Sequence, residues 1–210
     1  MTIATPTAIV YLVDDEPDVT EGLSWLLDSV GLRSKAFSSA QAFLREAGQH
    51  AGVSCLVTDL RMPEMNGLEL VQELIARGYR FPVIFLSAHG DVPNAVKAMQ
   101  LGAVDFVQKP FNPEAFLGSI NKALRFAREA ESRRLARQTV EGRLRLLSPR
   151  EREIFEYLLT GQTSKEIGRR LHISFKTVDV HRANLMYKLE VASYGELVRR
   201  FASHEDSGLL

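Results

Sequence analysis

Through the first half of this chain, short apolar runs alternate with helix-period patterns, and this constrains the fold more than any other feature. Runs at 8–13, 33–37, 53–58, 82–86 and 104–107 are separated by helical stretches at about 18–30, 39–48, 66–77, 92–101 and from 113 onward. The runs are too short for helices, and strands that alternate with helices pair in parallel. The expectation is an α/β fold, a five-stranded doubly wound parallel sheet with helices on both faces.

Past residue 147 the pattern becomes purely helical. Ser148-Pro149-Arg150-Glu151 supplies a capping hydroxyl, a proline for the first helical position and a glutamate able to reach back. Thr163-Ser164-Lys165-Glu166 repeats that signature. A turn at 172–174 leads to a helix from Phe175 to about Leu189, with a last helix near 193–201. Ile154, Leu158, Ile167, Leu171, Ile173, Val178, Leu185 and Leu189 are expected to form one small core. This reads as a second, all-α helix-turn-helix domain. Between the two, Leu117, Ile120, Leu124 and Ala127 begin an apolar stripe, but Glu131 and Arg134 take its continuing positions. A solvated linker helix is therefore expected rather than a coiled coil. The predicted domains are 1–122, a linker helix at 123–146, and 147–210.

The formal net charge of zero hides a polarity. Residues 1–122 carry 14 acids and 9 bases, a net −5, which leaves 12 acids and 17 bases, a net +5, in residues 123–210. A basic half suits an anionic polymer, and an acidic half suits carboxylates that hold a cation. The single Cys55 excludes an internal disulfide and thiolate metal clusters. No stretch approaches the ~18 apolar residues of a membrane span, and Met1 to Thr7 lacks the pattern of a leader, so the expectation is a cytoplasmic protein with no membrane partner.

The polar residues at the strand ends carry the chemistry. Asp14 and Asp15 follow the first predicted strand, Asp59 ends the third, Ser87 follows the fourth and Lys109 the fifth. Open α/β sheets bind ligands beyond the carboxyl ends of their strands, so these residues are expected to converge. Three carboxylates with no His or Cys beside them call for a hard cation that keeps open positions, which is Mg²⁺. A carboxylate beside Mg²⁺ is a competent nucleophile for phosphorus when a lysine balances the charge of the transferred group. Asp59 is the natural acceptor because it stands alone on the central strand, whereas Asp14 and Asp15 are paired. Ser87 is placed to donate to a phosphoryl oxygen and Lys109 to pair with it. Lys109-Pro110 is a candidate cis peptide.

Residues 8–122 resemble a response-regulator receiver domain. The resemblance rests on Val13-Asp14-Asp15-Glu16, Asp59-Leu60-Arg61-Met62-Pro63 with Asn66-Gly67, Ser87-Ala88-His89-Gly90-Asp91 and Lys109-Pro110-Phe111. Residues 148–203 resemble the LuxR-type helix-turn-helix. Through Gly102-Ala103-Val104-Asp105-Phe106 and Leu147-Ser148-Pro149-Arg150-Glu151, the whole chain is similar to the FixJ subgroup of two-domain transcription regulators. The resemblance implies a flavodoxin-like receiver that takes phosphoryl from a sensor histidine kinase onto Asp59. It implies Mg²⁺ held by Asp15, Asp59 and the Arg61 carbonyl with Asp14 assisting through water, and signalling through Ser87 and Phe106. The family's switch aromatic is often Tyr, and Phe106 has no hydroxyl. Further implied partners are double-stranded promoter DNA, a second copy of the phosphorylated chain, and RNA polymerase.

A helix-turn-helix lays its second helix in the major groove. In the helix from Phe175, Val178, His181, Leu185 and Leu189 share an inner face, while Lys176, Asp179, Val180 and Ala183 lie opposite, with Thr177 beside them. Arg182 and Lys165 are candidate phosphate ligands, and Asp179 either accepts from cytosine N4 or discourages other sites. Two other readings compete. A phosphatase of the haloacid-dehalogenase type also uses an aspartyl nucleophile with Mg²⁺, but resembles Asp-x-Asp, and Arg61 stands where its general acid belongs. A constitutive DNA-binding protein with a degenerate receiver is weakened because every pocket residue is present. The expected function is a phosphorylation-switched transcription regulator and not an enzyme.

Overall fold

The computed structural model describes residues 8–47, 52–88 and 92–201. The chain divides into two compact units, Met1–Ser132 and Arg133–Leu210.

In the first unit the strands are β1 (Ile9–Val13), β2 (Arg33–Phe37), β3 (Ser54–Asp59), β4 (Val83–Ser87) and β5 (Asp105–Gln108). The helices are α1 (Pro17–Ser29), α2 (Ala40–Glu46), α3 (Gly67–Ala76), α4 (Val92–Gln100) and α5 (Pro113–Leu144), which runs past the division between the units. All strand pairs are parallel, in the order β2-β1-β3-β4-β5. All six residues of β3 and all five of β4 are buried, as near-continuous apolar runs in the middle of a parallel sheet require. The edge strand β2 instead exposes Arg33 and Lys35, which discourages further pairing.

Alternation along the strands builds two cores. Tyr11, Val13, Leu56 and Phe85 pack with Phe43, Leu70 and Leu74 from α2 and α3 on one face. Val10, Leu12, Cys55, Val57 and Ile84 pack with Leu23 and Leu27 of α1 and Phe116, Ile120 and Leu124 of α5 on the other. Cys55 is fully buried, and burial pushes its thiol up to about 12.

One detail differs from the sequence expectation. The third, fourth and fifth strands each begin and end one residue later than read from the apolar runs, so Ser87 closes β4 rather than following it. On α5, Phe116 joins Ile120, Leu124 and Ala127 in the core, its ring stacked on Phe111 with centroids 5.0 Å apart, while Leu117 packs against that core partly buried. The predicted helix residue 48 lies outside the described residues, as do Met1 to Thr7.

In the second unit, α6 (Pro149–Leu159), α7 (Ser164–Arg170), α8 (Phe175–Leu189) and α9 (Tyr194–Phe201) surround a core of Ile154, Leu158, Ile167, Val178, Leu185, Leu189, Leu197 and Phe201. Leu171 and Ile173 pack against it while staying partly exposed. Ser148 and Thr163 both form full capping boxes, with Glu151 and Glu166 respectively. Glu151 is buried, and its Oε2 accepts the Ser148 N–H at 2.8 Å and the Lys188 ammonium at 2.6 Å, which ties α6 to α8. Among the described residues, no helix is long and apolar enough to cross a membrane.

Candidate functional site

The order of strands reverses between β1 and β3, since the chain continues from β1 to β2 on one side and builds β3, β4 and β5 on the other. Such a switch point opens a crevice at the carboxyl ends of the strands. Asp14 stands directly beyond β1, held in the sheet's ladder by its N–H donating to the Phe37 carbonyl at 3.2 Å. Asp59 is the last residue of β3. Both carboxylates are buried. The Lys109 ammonium, just past β5, donates to Asp14 Oδ2 and to Asp59 Oδ1, each at 2.8 Å. Asp14 Oδ1 accepts the Glu16 N–H at 3.0 Å, and Asp59 Oδ2 accepts the Arg61 N–H at 2.6 Å. Burial alone lowers the Lys109 pKa, but hydrogen bonds to Asp14 and Asp59 and their charges outweigh it, leaving the ammonium above the ordinary lysine value. Lys109 therefore stays charged.

The loop after β3 is pinned from below. Gly67 opens α3, and a Cβ there would lie 2.3 Å from the Asp59 carbonyl oxygen, so only glycine lets the helix start approach the strand end. Its N–H donates to the Leu60 carbonyl at 3.1 Å, and Asn66 and Glu69 complete a capping box. Ser87 is buried at the end of β4, where its carbonyl accepts the Lys109 N–H at 2.7 Å. Phe106, half-buried on β5, pairs in register with Phe85. The Lys109-Pro110 peptide is cis. His89, Gly90 and Asp91 lie outside the described residues.

Of the three acids, the structure joins Asp14 and Asp59, whereas Asp15 and Arg61 are exposed. Among the described residues no three His, Cys, Asp or Glu side chains gather closely enough to hold a metal ion. The donor set nevertheless fits a hard cation. It consists of oxygens alone, and two buried carboxylates share the Lys109 ammonium.

In the second unit, α7, a turn and α8 form the helix-turn-helix. Gly168 permits the tight turn, since a Cβ on it would meet the Ile173 carbonyl oxygen at 2.8 Å. Ser174 caps α8 through the Thr177 N–H at 3.0 Å, and the two hydroxyls bond at 2.8 Å, so the Thr177 side chain is engaged in the cap. Lys165 on α7 and Lys176, Thr177, Asp179, Val180 and Ala183 on α8 are exposed, while Arg182 and His181 are half-buried. Asp179 is not free: its Oδ1 accepts the Ser164 hydroxyl at 2.6 Å, a bond from α8 to the first residue of α7.

The response regulator receiver domain family matches residues 10–121, more than half of the chain, and the luxR family of bacterial regulatory proteins matches residues 145–201. The chain is a response regulator. It is 44% identical over 200 residues to the response regulator protein TmoT of Ectopseudomonas mendocina, covering 95% of this chain and 90% of that one. It is 46% identical over 190 residues to the transcriptional regulatory protein FixJ of Azorhizobium caulinodans, covering 90% of each. Among solved structures, the response regulator StyR matches with a TM-score of 0.86 at 37% identity, over 94% of this chain and 99% of that one. Full-length FixJ from B. japonicum matches with a TM-score of 0.57 at 40% identity, over 96% of this chain and 98% of that one.

As a response regulator of this kind, the chain is a transcription regulator of a two-component system, with a receiver that implies a histidine kinase partner and a LuxR-type DNA-binding domain. Receivers of the family typically use Mg²⁺ at the phosphorylation site. Of the residues expected at the strand ends, the structure brings together Asp14, Asp59 and Lys109. Sequence reasoning missed the Ser164 to Asp179 bond, for which no local signal exists because the partners lie on different helices.

Proposed function

We propose that Asp59 is the phosphoacceptor of a DNA-binding switch, and the observation that carries this reading is the buried Asp59 carboxylate bonded to Lys109 at 2.8 Å at the switch point of the sheet. A carboxylate oxygen of Asp59 attacks the phosphorus of a phosphohistidine on the kinase. The new P–O bond forms as the P–N bond breaks, and the histidine ring leaves with its electron pair and takes a proton. Lys109, already charged, turns from its carboxylate partners to the phosphoryl oxygens. Ser87 donates its hydroxyl to another of them. Asp14, Asp15, Asp59 and the Arg61 carbonyl would hold Mg²⁺, which would supply positive charge beside the transferred group.

Drawing Ser87 toward the phosphoryl group frees space for Phe106 to turn, which alters the surface of α4, β5 and α5. That surface then joins two copies, and a symmetric dimer addresses paired promoter half-sites. The domains on this reading are a receiver at 1–122, a linker helix at 123–146 and the DNA-binding domain at 147–210. Lys165, Lys176, Thr177, Asp179, Val180, Arg182 and Ala183 face promoter DNA, RNA polymerase is the machinery engaged there, and the protein works in the cytoplasm.

The test is intact-mass analysis after incubation with acetyl phosphate and Mg²⁺. The wild-type chain is expected to gain one phosphoryl group and Asp59→Asn none. Full labelling of Asp59→Asn refutes the assignment. Sedimentation of both forms then tests the dimer, which is wrong if phosphorylated protein binds DNA more tightly while remaining a monomer.

A further inference from the structure

Tyr187 is the most exposed large apolar side chain among the described residues, at 86%, ahead of Trp25 at 75% and Val180 at 60%. It stands on α8. At about 100° per residue, Lys176, Val180, Ala183 and Tyr187 fall within about 60° of one another on the helix, spread over roughly 16 Å of its length. The buried residues Val178, Leu185 and Leu189 lie on the opposite side. Tyr187 is thus diametrically opposite the core and contributes nothing to it, yet it extends the outward stripe that begins at Lys176.

We propose that Tyr187 is a DNA-backbone contact, a neutral donor whose phenol hydroxyl binds a phosphate oxygen at the far wall of the groove. The inference rests on the reading of α8 as the helix that enters the major groove. In that geometry the N-terminal residues of the helix meet base edges, and the C-terminal end rises toward the sugar-phosphate wall. A residue eleven positions beyond Lys176 on the same stripe belongs to that wall. Tyrosine suits it: the hydroxyl donates to phosphate, and the ring covers the sugar with little loss of side-chain freedom. The net +5 of residues 123–210 favours an anionic occupant over a second apolar surface.

The experiment uses the full chain, phosphorylated with acetyl phosphate, and a duplex that the wild-type protein retains from a random-sequence pool. Affinities for this duplex and a scrambled one are measured across a salt series for wild type, Tyr187→Phe, Tyr187→Ala and Lys176→Ala. Tyr187→Phe is expected to bind both duplexes about tenfold more weakly, the effect of losing one hydrogen bond to a charged group. Its salt dependence stays that of wild type, because a hydroxyl releases no counterion, whereas Lys176→Ala reduces the slope by about 1. A wild-type chain that retains no duplex overturns the reading of α8 and this inference with it. If wild type binds and both Tyr187 variants match it, Tyr187 leaves the interface while α8 keeps its role. Weakening confined to the selected duplex overturns the backbone assignment in favour of a base contact. Weakening that follows loss of self-association in sedimentation overturns it in favour of a contact between copies.

Discussion

Replacing Glu151 by alanine is expected to destabilise the second unit by about 2 kcal/mol. The carboxylate makes two bonds, to the Ser148 N–H and to the Lys188 ammonium. Loss of the first removes half of a capping box, about 1 kcal/mol. Removing one partner of a fully buried ion pair costs about 3–5 kcal/mol. The Lys188 side chain is 36% exposed, so its ammonium swings back into water, and the pair contributes nearer 1 kcal/mol. Glu151→Gln keeps an acceptor for Ser148 and loses only the charge, so it should cost about half as much. The pH dependence has a definite sign. Burial raises the Glu151 pKa, but the hydrogen bonds from Lys188 and Ser148 outweigh it and hold the carboxyl below the ordinary glutamate value. Stability from such a group is fully present above ~4.3 and is lost as acidification passes the folded value. Hydrogen exchange read by mass spectrometry separates the units: opening free energies of α6 and α8 amides fall at neutral pH, while those of β1 and β3 hold. An alanine variant within about 0.5 kcal/mol of wild type, the range of ordinary surface changes, refutes the reasoning.

Two further outcomes follow from contacts of other residues. Gly67→Ala, whose new methyl would press on the Asp59 carbonyl oxygen, should destabilise the first unit by about 3 kcal/mol and slow acetyl phosphate labelling of Asp59, read by thermal melting and intact mass. Asp179→Ala and Ser164→Ala should alter DNA selectivity non-additively in a double-mutant titration, because each removes the same bond; additive effects would mean that Asp179 acts without Ser164.

The sheet and the crevice were legible because both depend on order along the chain. A parallel strand is a short apolar run, and its carboxyl end is where the run meets Asp14, Asp59, Ser87 or Lys109. What stayed hidden depends on partners distant in sequence. Lys109 was foreseen beside a phosphoryl group, but not as the bridge between Asp14 and Asp59, since its spacing from either acid carries no geometric information. The full burial of Phe116 on α5, stacked on Phe111, also depends on partners that the apolar stripe does not reveal. Tyr187 was within reach, because the spacing that grouped Lys176, Val180 and Ala183 continues to it. It went unnamed because exposure on that face is invisible without the core behind it.

The burial of Cys55 has a practical side. It is the only cysteine in the chain, and with its thiol raised to about 12 in the packed face between the sheet and α1 and α5, almost none is thiolate at neutral pH. Thiolate is the reactive form, so the folded chain is silent toward maleimides and disulfide reagents. A cysteine substituted at one exposed position then takes a dye or spin label alone, with no native residue to remove first. Two such substitutions, one on Val92 of α4 and one on Arg199 of α9, make a pair whose separation reports the response of the whole chain to acetyl phosphate.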